Sequence, residues 1–241
     1  MSLVWQITKQ WKHLEDIISK LLMDIIKEVC VDNITDAINA VKLGADRIEF
    51  CSKLDEDGLT PKTEDLISIK KIVSCPIRVM VRPHSRSFVY NEQDLDEMKK
   101  TINLCKQYNF DGVVLGCLDE NMDFDIKKIK YLSELSKHLK VIIHKAIDLT
   151  PSPLNSLKKV LEIEQINGVL SSGGADTAEH GLDNLKKMIS ISPPDFEIIS
   201  AGKITNENID YLHEEIQGKF YHGKKIVGKL YFLYFLNFSS T

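Results

Sequence analysis

The sequence lacks the features that mark membrane and secreted proteins. Its longest apolar stretches fall far short of the roughly 20 residues that a membrane-spanning helix needs. Near the N-terminus, charged residues such as Lys9, Lys12 and Glu15 interrupt the apolar ones, so the apolar core of a signal peptide is missing. We therefore expect a cytoplasmic protein with no membrane partner.

The cysteines show none of the spacings that hold a disulfide framework or a structural zinc ion. They are odd in number, scattered, and without a CxxC pair: Cys30, Cys51, Cys75, Cys105 and Cys117. This pattern indicates reduced thiols, as is usual in the cytoplasm.

A strong charge of one sign is also missing. The 31 basic and 35 acidic side chains leave a formal charge of −4, and no dense Lys/Arg block occurs. Nucleic acid and anionic membrane surfaces are therefore poor candidate partners, and small molecules or ions are better ones.

What the sequence does contain is a regular alternation of short β-branched runs with segments of helical length. Such alternation is typical of parallel βα units. Eight units in 241 residues predict one closed (β/α)₈ TIM-like barrel. The alternative is an open doubly wound sheet, but the early GxGxxG fingerprint of that class is absent. The predicted strands are Ile25–Val31, Asp46–Cys51, Ile77–Arg82, Gly112–Cys117, Val141–His144, Gly168–Ser171, Glu197–Ser200 and Lys219–His222.

The barrel pattern does not extend over the whole chain. We expect a single domain over residues 23–230, an N-terminal extension over 1–22, and an apolar tail over 231–241.

The first three predicted strands carry charges that a buried parallel strand normally avoids. Because side chains alternate between the two faces of a strand, the apolar sets would pack against helices and the polar sets would line the lumen. The predicted lumen then holds Glu28, Arg47, Glu49, Arg78 and Arg82. Arg47 and Arg78 lie toward the strand N-termini, where they either form a structural ion-pair network or serve function.

Residues at the strand C-termini form the rim that carries the active site in barrels of this type. The candidates are Cys30, Cys51, Arg82, Cys117, His144 and His222. In an enzyme, Glu28 or Glu49 would be the general base, and His144 a general acid or base. Asp148 would hydrogen-bond the His144 imidazole, and Arg82 would hold a small anionic or sugar-like substrate.

Glycine-rich segments follow the sixth and seventh predicted strands. Ser172, Gly173 and Gly174, with Gly202, could offer backbone N–H groups to a phosphate. The alternative is that these glycines serve only the tight turns between strand and helix.

Nine segments together resemble the CutC family in order and spacing, over roughly residues 23–228. They are KEVCVD (27–32), GADRIEFC (44–51), GLTP (58–61), RVMVRP (78–83), GCLD (116–119), IIHKAID (142–148), LSSGG (170–174), SAGKIT (200–205) and FYHG (220–223). The resemblance implies a cytoplasmic TIM-like barrel involved in copper homeostasis, and a homo-oligomer, for which we expect a dimer. It also implies copper(I) binding, with Cys30 and Cys51 as the ligands.

Two functions stay open on these residues. Thiolates and thioethers select copper(I), and Cys30 and Cys51 end adjacent strands about 4.8 Å apart, with Met80 on the next strand. Equally, both cysteines could simply be buried apolar residues. The predicted lumen has three arginines and two glutamates, and this excess positive charge favours an anionic ligand and thus an enzyme.

Overall fold

The structure is a computed structural model that describes residues 25–230. The predicted extension 1–22 and the predicted apolar tail 231–241 lie outside the described residues.

The described chain contains eight parallel strands, and each predicted strand is found within two residues of its expected ends. They are β1 (Ile26–Val31), β2 (Arg47–Phe50), β3 (Ile77–Met80), β4 (Gly112–Leu115), β5 (Lys140–Ile143), β6 (Gly168–Ser171), β7 (Glu197–Ser200) and β8 (Phe220–His222). Each strand pairs with the next in sequence, and β1 pairs with β8. The sheet is therefore closed, which confirms the TIM-like barrel and excludes the open sheet.

Helices connect the strands and cover the barrel from outside. They are α1 (Ile34–Lys42), α2 (Thr63–Ile72), α3 (Glu92–Gln107), α4 (Ile126–Leu135), α5 (Pro153–Leu161), α6 (Leu182–Ile191) and α7 (Ile209–Ile216). Side-chain caps start several of them: Asn33 accepts a hydrogen bond from the Asp36 amide, and Asn91 and Asp94 form a capping box. Two short 3₁₀ turns, Leu54–Glu56 and Lys145–Leu149, lie in the loops after β2 and β5.

Two buried apolar layers follow from the alternation of side chains along the strands. Residues such as Val29, Ile48 and Val79 pack in the large core between strands and helices. A smaller cluster lies in the lumen, formed by Cys51, Met80, Val114, Ile142, Leu170, Ile199 and Ala201. The predicted assignment of faces is therefore confirmed for the first three strands.

The register of the closed barrel brings charged residues from distant parts of the chain to one level. Glu28 on β1 lies opposite Arg47 on β2 and opposite His222 on β8. Glu49 on β2 lies opposite Cys30 on one side and Arg78 on the other.

Among residues 25–230, none of the helices combines the length and the apolar character that a bilayer crossing requires.

Candidate functional site

The lower lumen contains a closed network of ion pairs. The Glu28 carboxylate accepts from Arg47 Nε at 2.5 Å and from Arg78 Nη1 at 3.4 Å. Glu197 accepts from Arg78 Nη2 at 2.7 Å and forms an ion pair with Arg47, whose Nη1 lies 3.1 Å from Glu197 Oε2. Since each arginine contacts both carboxylates, Arg47 and Arg78 have the structural role that was one of their two predicted interpretations.

Glu197 is a residue that the sequence reasoning missed. It is the first residue of β7, and its side chain reaches Arg78 on β3 across the barrel. Applying the same face alternation to the later strands would have found it. It adds a third carboxylate to the three arginines of the lumen, so the predicted count of two glutamates was incomplete.

Glu28 also holds the His222 imidazole, whose Nδ1 lies 2.9 Å from Glu28 Oε1. Burial favours a protonated Glu28, but Arg47, His222 and Arg78 outweigh it and lower the pKa of Glu28 far below its usual range. A carboxylate that is so stabilised, with both oxygens bonded, is a poor proton acceptor. The structure therefore argues against Glu28 as the general base and makes it the residue that orients His222.

His222 connects this network to the rim of the barrel. Burial alone would lower the pKa of its imidazole, but Cys30, Glu49 and Glu28 raise it well above the usual 6.5. The ring is hydrogen-bonded to the Cys30 side chain as well as to Glu28. Cys30, His222 and Glu28 thus form one hydrogen-bonded chain from the rim to the lower lumen.

A cavity of about 790 Å³ opens above the network, at the C-terminal ends of the strands. This is the position where barrels of this type bind their ligands. Its wall includes the predicted site residues Cys30, Glu49, Cys51, Arg82, His144, Asp148, Gly174 and Gly202. Glu28, Ser172 and Gly173 are outside this lining. Cys117, predicted at the rim, is instead fully buried in the core between strands and helices, because it continues the outward-facing series of Val113 and Leu115.

Glu49 is the acidic side chain at the bottom of the cavity. Glu49 is 3 % exposed, and its Oε2 atom has no hydrogen-bond partner. Burial raises the pKa of Glu49 to about 7, and the nearby Glu28 carboxylate adds to the effect, while His222 and the arginines oppose it. Unlike Glu28, Glu49 has one carboxylate oxygen without a hydrogen-bond partner.

Three sulfur-containing side chains line the same cavity: Cys30, Cys51 and Met80. A Cβ atom built on Gly58 would lie 3.3 Å from Cys51 Sγ and 3.8 Å from Met80 Cε, so these two side chains border one glycine. The Cys51 thiol donates to the Val31 carbonyl oxygen at 3.4 Å. Burial, with the nearby Glu49 carboxylate, raises the pKa of Cys51, so this thiol keeps its proton in the metal-free protein.

His144 is held in one orientation and one tautomer. Its Nδ1 accepts a hydrogen bond from the Ala146 amide at 3.2 Å, so the ring proton of the neutral imidazole is on Nε2. Burial and the Arg82 charge lower the pKa of His144 to about 3. A neutral imidazole of this kind donates a hydrogen bond but does not accept a proton near neutral pH, so the predicted acid or base role is not supported.

Asp148 does not orient His144, and that prediction is wrong. Its carboxylate accepts hydrogen bonds from the Ser171 hydroxyl at 2.5 Å and from the Ser172 and Gly174 amides at 2.9 Å. His144 Nε2, meanwhile, has no partner. Asp148 instead ties the 3₁₀ turn after β5 to the loop after β6.

The predicted phosphate cradle after β6 is wrong for the same reason. The Ser172 and Gly174 amides point at the Asp148 carboxylate, and the Gly173 amide donates to the Ser171 hydroxyl. An internal carboxylate thus occupies the place that was predicted for an anion. Gly202 serves close packing, because a Cβ atom there would lie 2.8 Å from Ser172 Cβ.

Arg82 lies at the rim, two residues after β3. Its Nη1 donates to the carbonyl oxygens of Glu56 at 2.8 Å and Gly58 at 3.0 Å. Its guanidinium carbon is 4.7 Å from the centre of the Phe88 ring, which is itself 4.7 Å from the centre of the His144 ring. Phe88, which the sequence reasoning also missed, therefore contacts both Arg82 and His144.

One group of potential metal ligands occurs among the described residues. Ligand atoms of Glu28, Glu49 and His222 lie within 4.8 Å of one another. However, both Glu28 oxygens are bonded to protein cations, and the Arg47 and Arg78 charges next to them oppose a further cation. The same cavity also presents the sulfur side chains of Cys30, Cys51 and Met80, and sulfur donors are of the type that soft metal ions prefer.

The closed barrel and the cavity at its C-terminal mouth define the class: a TIM-barrel protein with a candidate ligand site where its strands end. The sequence profile of the CutC family matches residues 25–227. The chain belongs to the CutC family.

Relatives with curated names agree with this assignment. The chain is 35 % identical over 189 residues to the copper homeostasis protein cutC homolog of Homo sapiens, covering 78 % of this chain and 69 % of the relative. It is 32 % identical over 227 residues to the homolog of Dictyostelium discoideum, covering 83 % and 81 %. The crystal structure of the CutC chain from Streptococcus agalactiae superposes with a TM-score of 0.79 at 26 % identity, covering 84 % of this chain and 99 % of that one.

Proposed function

We propose that this chain contributes to copper homeostasis by binding copper(I) through Cys30 and Cys51 at the barrel mouth. The observation that carries the proposal is that both thiols line one cavity together with the Met80 thioether. Sulfur ligands are those that select copper(I) over harder cations. The names of the relatives, copper homeostasis proteins, support the same role.

The donor set fits the ion on chemical grounds. Cys30 is at the end of a chain of hydrogen bonds through His222 to Glu28. Hydrogen bonds of this kind orient a metal-binding side chain and change its basicity. The Cys51 thiol donates to the Val31 carbonyl oxygen, so copper binding there requires loss of the thiol proton.

A copper(I) titration of the reduced protein under anaerobic conditions, against a competing chelator, tests this proposal. We expect Cys30→Ser/Cys51→Ser to lose at least about tenfold in affinity, since two soft ligands are replaced by poor ones. Cys105→Ser is the matched control, because Cys105 is a buried thiol in the core outside the barrel. Equal binding by the wild type and the double variant would end the thiolate proposal.

A second candidate function is an enzyme acting on a small anionic or sugar-like substrate in the same cavity. The unpaired Glu49 oxygen favours it, because buried polar atoms normally have partners and those without one often serve function. Arg82 Nε and His144 Nε2 are also buried without a hydrogen-bond partner. These three residues would contact the substrate.

Incubation of the protein with a metabolite extract, in the presence of a copper chelator, tests the enzyme candidate by untargeted mass spectrometry. We expect the wild type to consume at least one compound of the extract. The rate of that consumption should be at least about 100-fold lower in Glu49→Gln. Asp57→Asn is the control, because Asp57 also lines the cavity but is exposed. Consumption of no compound, or equal rates in the wild type and Glu49→Gln, would contradict an enzymatic role for this site.

We also propose that the protein works in the cytoplasm as a homo-oligomer, with a dimer favoured. All five cysteines are free thiols, which supports a reducing compartment. The dimer follows from the family resemblance. Fractionation of cells that express a tagged chain tests the compartment, and light scattering of the purified protein tests the dimer; a monomer would refute it.

A further inference from the structure

Arg82 differs from the two arginines beneath it in having no ion-pair partner. Arg47 and Arg78 each contact two glutamates. Within residues 25–230, no carboxylate forms an ion pair with Arg82, although this residue is only 6 % exposed. Two backbone carbonyl groups and the Phe88 ring contact its guanidinium, and its Nε has no hydrogen-bond partner. The Glu56 carboxylate interacts electrostatically with Arg82 but forms no ion pair with it. A buried charge without a directly paired counter-charge is costly, so this one is suited to an anion from outside.

His144, which lines the same cavity, carries a second donor without a partner. Its Nε2 is buried and without a partner, and the residue is 3 % exposed. The ring cannot turn away easily, since the Ala146 amide holds Nδ1 and Phe88 packs against it. Gly116 provides the space for the imidazole: a Cβ atom at that position would lie 2.7 Å from His144 Cε1. The surroundings therefore fix an N–H group that has nothing to bond within the described chain.

We propose that Arg82 and His144 together bind the carboxylate group of a small organic anion. The Arg82 guanidinium supplies the counter-charge, and the His144 Nε2–H supplies a neutral hydrogen bond. Phe88, in contact with both side chains, holds the two donors in place. This inference rests on the second proposed function and deepens it, by choosing an acid over an uncharged sugar as the substrate class.

A carboxylate fits this pair better than a phosphate does. Phosphate sites in barrels are normally built from several backbone N–H groups of the glycine-rich loops. Here Asp148 already accepts from the Ser172 and Gly174 amides, so the loop after β6 has no free cradle. One guanidinium and one imidazole N–H match the single charge and two oxygens of a carboxylate.

The charges at the cavity mouth favour the approach of an anion. Four lysines line it, Lys145, Lys203, Lys224 and Lys225, against three aspartates, Asp57, Asp148 and Asp176. Lys145 lies 3.8 Å from Asp148, and Lys224 donates to the Leu54 carbonyl oxygen. Basic side chains around an opening raise the local concentration of anions.

Titration of the copper-free protein with pyruvate, acetate or inorganic phosphate tests the inference. The readout is the imidazole Nε2–H resonance of His144 in ¹H–¹⁵N spectra, assigned with His144→Gln. We expect a saturable shift with pyruvate or acetate and a weaker effect of phosphate at equal ionic strength. Absence of a saturable shift with both carboxylates, or tighter binding of phosphate, would overturn the inference.

Variants of the arginine complete the test. We expect Arg82→Gln to weaken carboxylate binding by about tenfold or more, because a charged hydrogen bond is lost. Arg86→Gln is the matched control, since Arg86 is in the same loop with 73 % of its side chain exposed, and it should bind like the wild type. Undiminished binding by Arg82→Gln would overturn the inference. Should Arg82→Gln not fold, the carboxylate titration of Arg82→Lys, compared with that of the wild type, takes its place.

The result is separable from that of the enzyme proposal. The titration measures binding alone, so a negative outcome would exclude the carboxylate as ligand and leave the Glu49→Gln activity comparison to stand or fall by itself.

Discussion

At the scale of single residues, identical side chains in one lumen have different properties because their neighbours differ. His222 is held by Glu28 and Cys30, which favour its charged form. His144, which lines the same cavity, is buried beside the positive charge of Arg82 and stays neutral. The two histidines could both be placed at the rim from the sequence, but their charge states depend on contacts between residues far apart in the chain.

The neutral state of His144 predicts how its contribution to stability changes with pH. The pKa of His144 is about 3 in the folded protein against 6.5 for an ordinary histidine. Between these values the unfolded chain binds a proton at this position and the folded one does not, so acid favours unfolding. We expect the stability difference between the wild type and His144→Gln to be largest above pH 6.5. It should shrink by up to about 1.4 kcal/mol per pH unit as pH falls below that value.

Urea unfolding of both proteins at a series of pH values provides the measurement. The Glu49 carboxyl titrates in the same interval with the opposite sign, because its pKa is raised to about 7. Since Glu49 is present in both proteins, its effect cancels in the difference. A difference that stays constant from pH 7 to pH 4 would contradict a neutral, buried His144.

At the scale of elements, the βα loops are joined to each other by side chains as well as by the strands below them. Asp148, in the 3₁₀ turn after β5, accepts hydrogen bonds from Ser171 at the end of β6 and from Ser172 and Gly174 in the loop that follows. The sequence placed both segments at the rim but assigned Asp148 to His144. That assignment followed chain proximity, whereas the observed partners are brought close by the pairing of β5 with β6.

Asp148→Asn is therefore expected to destabilise the barrel mouth and not to alter His144. The amide replaces one acceptor oxygen by a donor that faces backbone N–H groups, which should lower the free energy of unfolding by about 3 kcal/mol. Urea denaturation measures this loss. Asp176→Asn, in an exposed position of the same loop, is the control and should change stability by less than about 0.5 kcal/mol. A similar small change for both variants would show that the Asp148 contacts contribute little.

At the scale of the whole molecule, closure of the barrel creates the ion-pair network. Arg78 on β3 reaches Glu197 on β7, and Glu28 on β1 contacts Arg47 on β2 and His222 on β8. The Arg78–Glu197 and Glu28–His222 contacts exist only when the sheet curves until its first and last strands pair, whereas Glu28 and Arg47 lie on neighbouring strands. The network lies beneath the cavity in which every proposed ligand would bind.

Glu197→Gln should show how strongly the barrel depends on this network. Removing one carboxylate leaves two buried guanidinium groups sharing the Glu28 charge, so we expect a loss of about 3 to 5 kcal/mol in the free energy of unfolding. Glu215→Gln is the control, because Glu215 forms a surface pair with Lys186 and should cost less than about 1 kcal/mol. Comparable losses in the two variants would mean that the lumen network is no more important than a surface ion pair.

The sequence by itself determined the elements and the faces of the strands, because hydrophobic periodicity is a local pattern that can be recognised without knowing the tertiary contacts. Eight strands, the single barrel, and the inward direction of Glu28, Glu49 and Arg82 were all accessible in this way. The quoted motifs also indicated the CutC family, which the profile match over residues 25–227 confirmed.

Only the tertiary structure decided which inward residues pair with each other and which are left for a ligand. Glu197 pairs with two arginines from the far side of the lumen, and Asp148 fills the predicted anion cradle. Arg82 Nε and Glu49 Oε2 remain without a hydrogen-bond partner. The physical reason is that electrostatic and hydrogen-bond partners are chosen by distance in space, which barrel closure sets, whereas the apolar pattern is set by the backbone repeat of each strand.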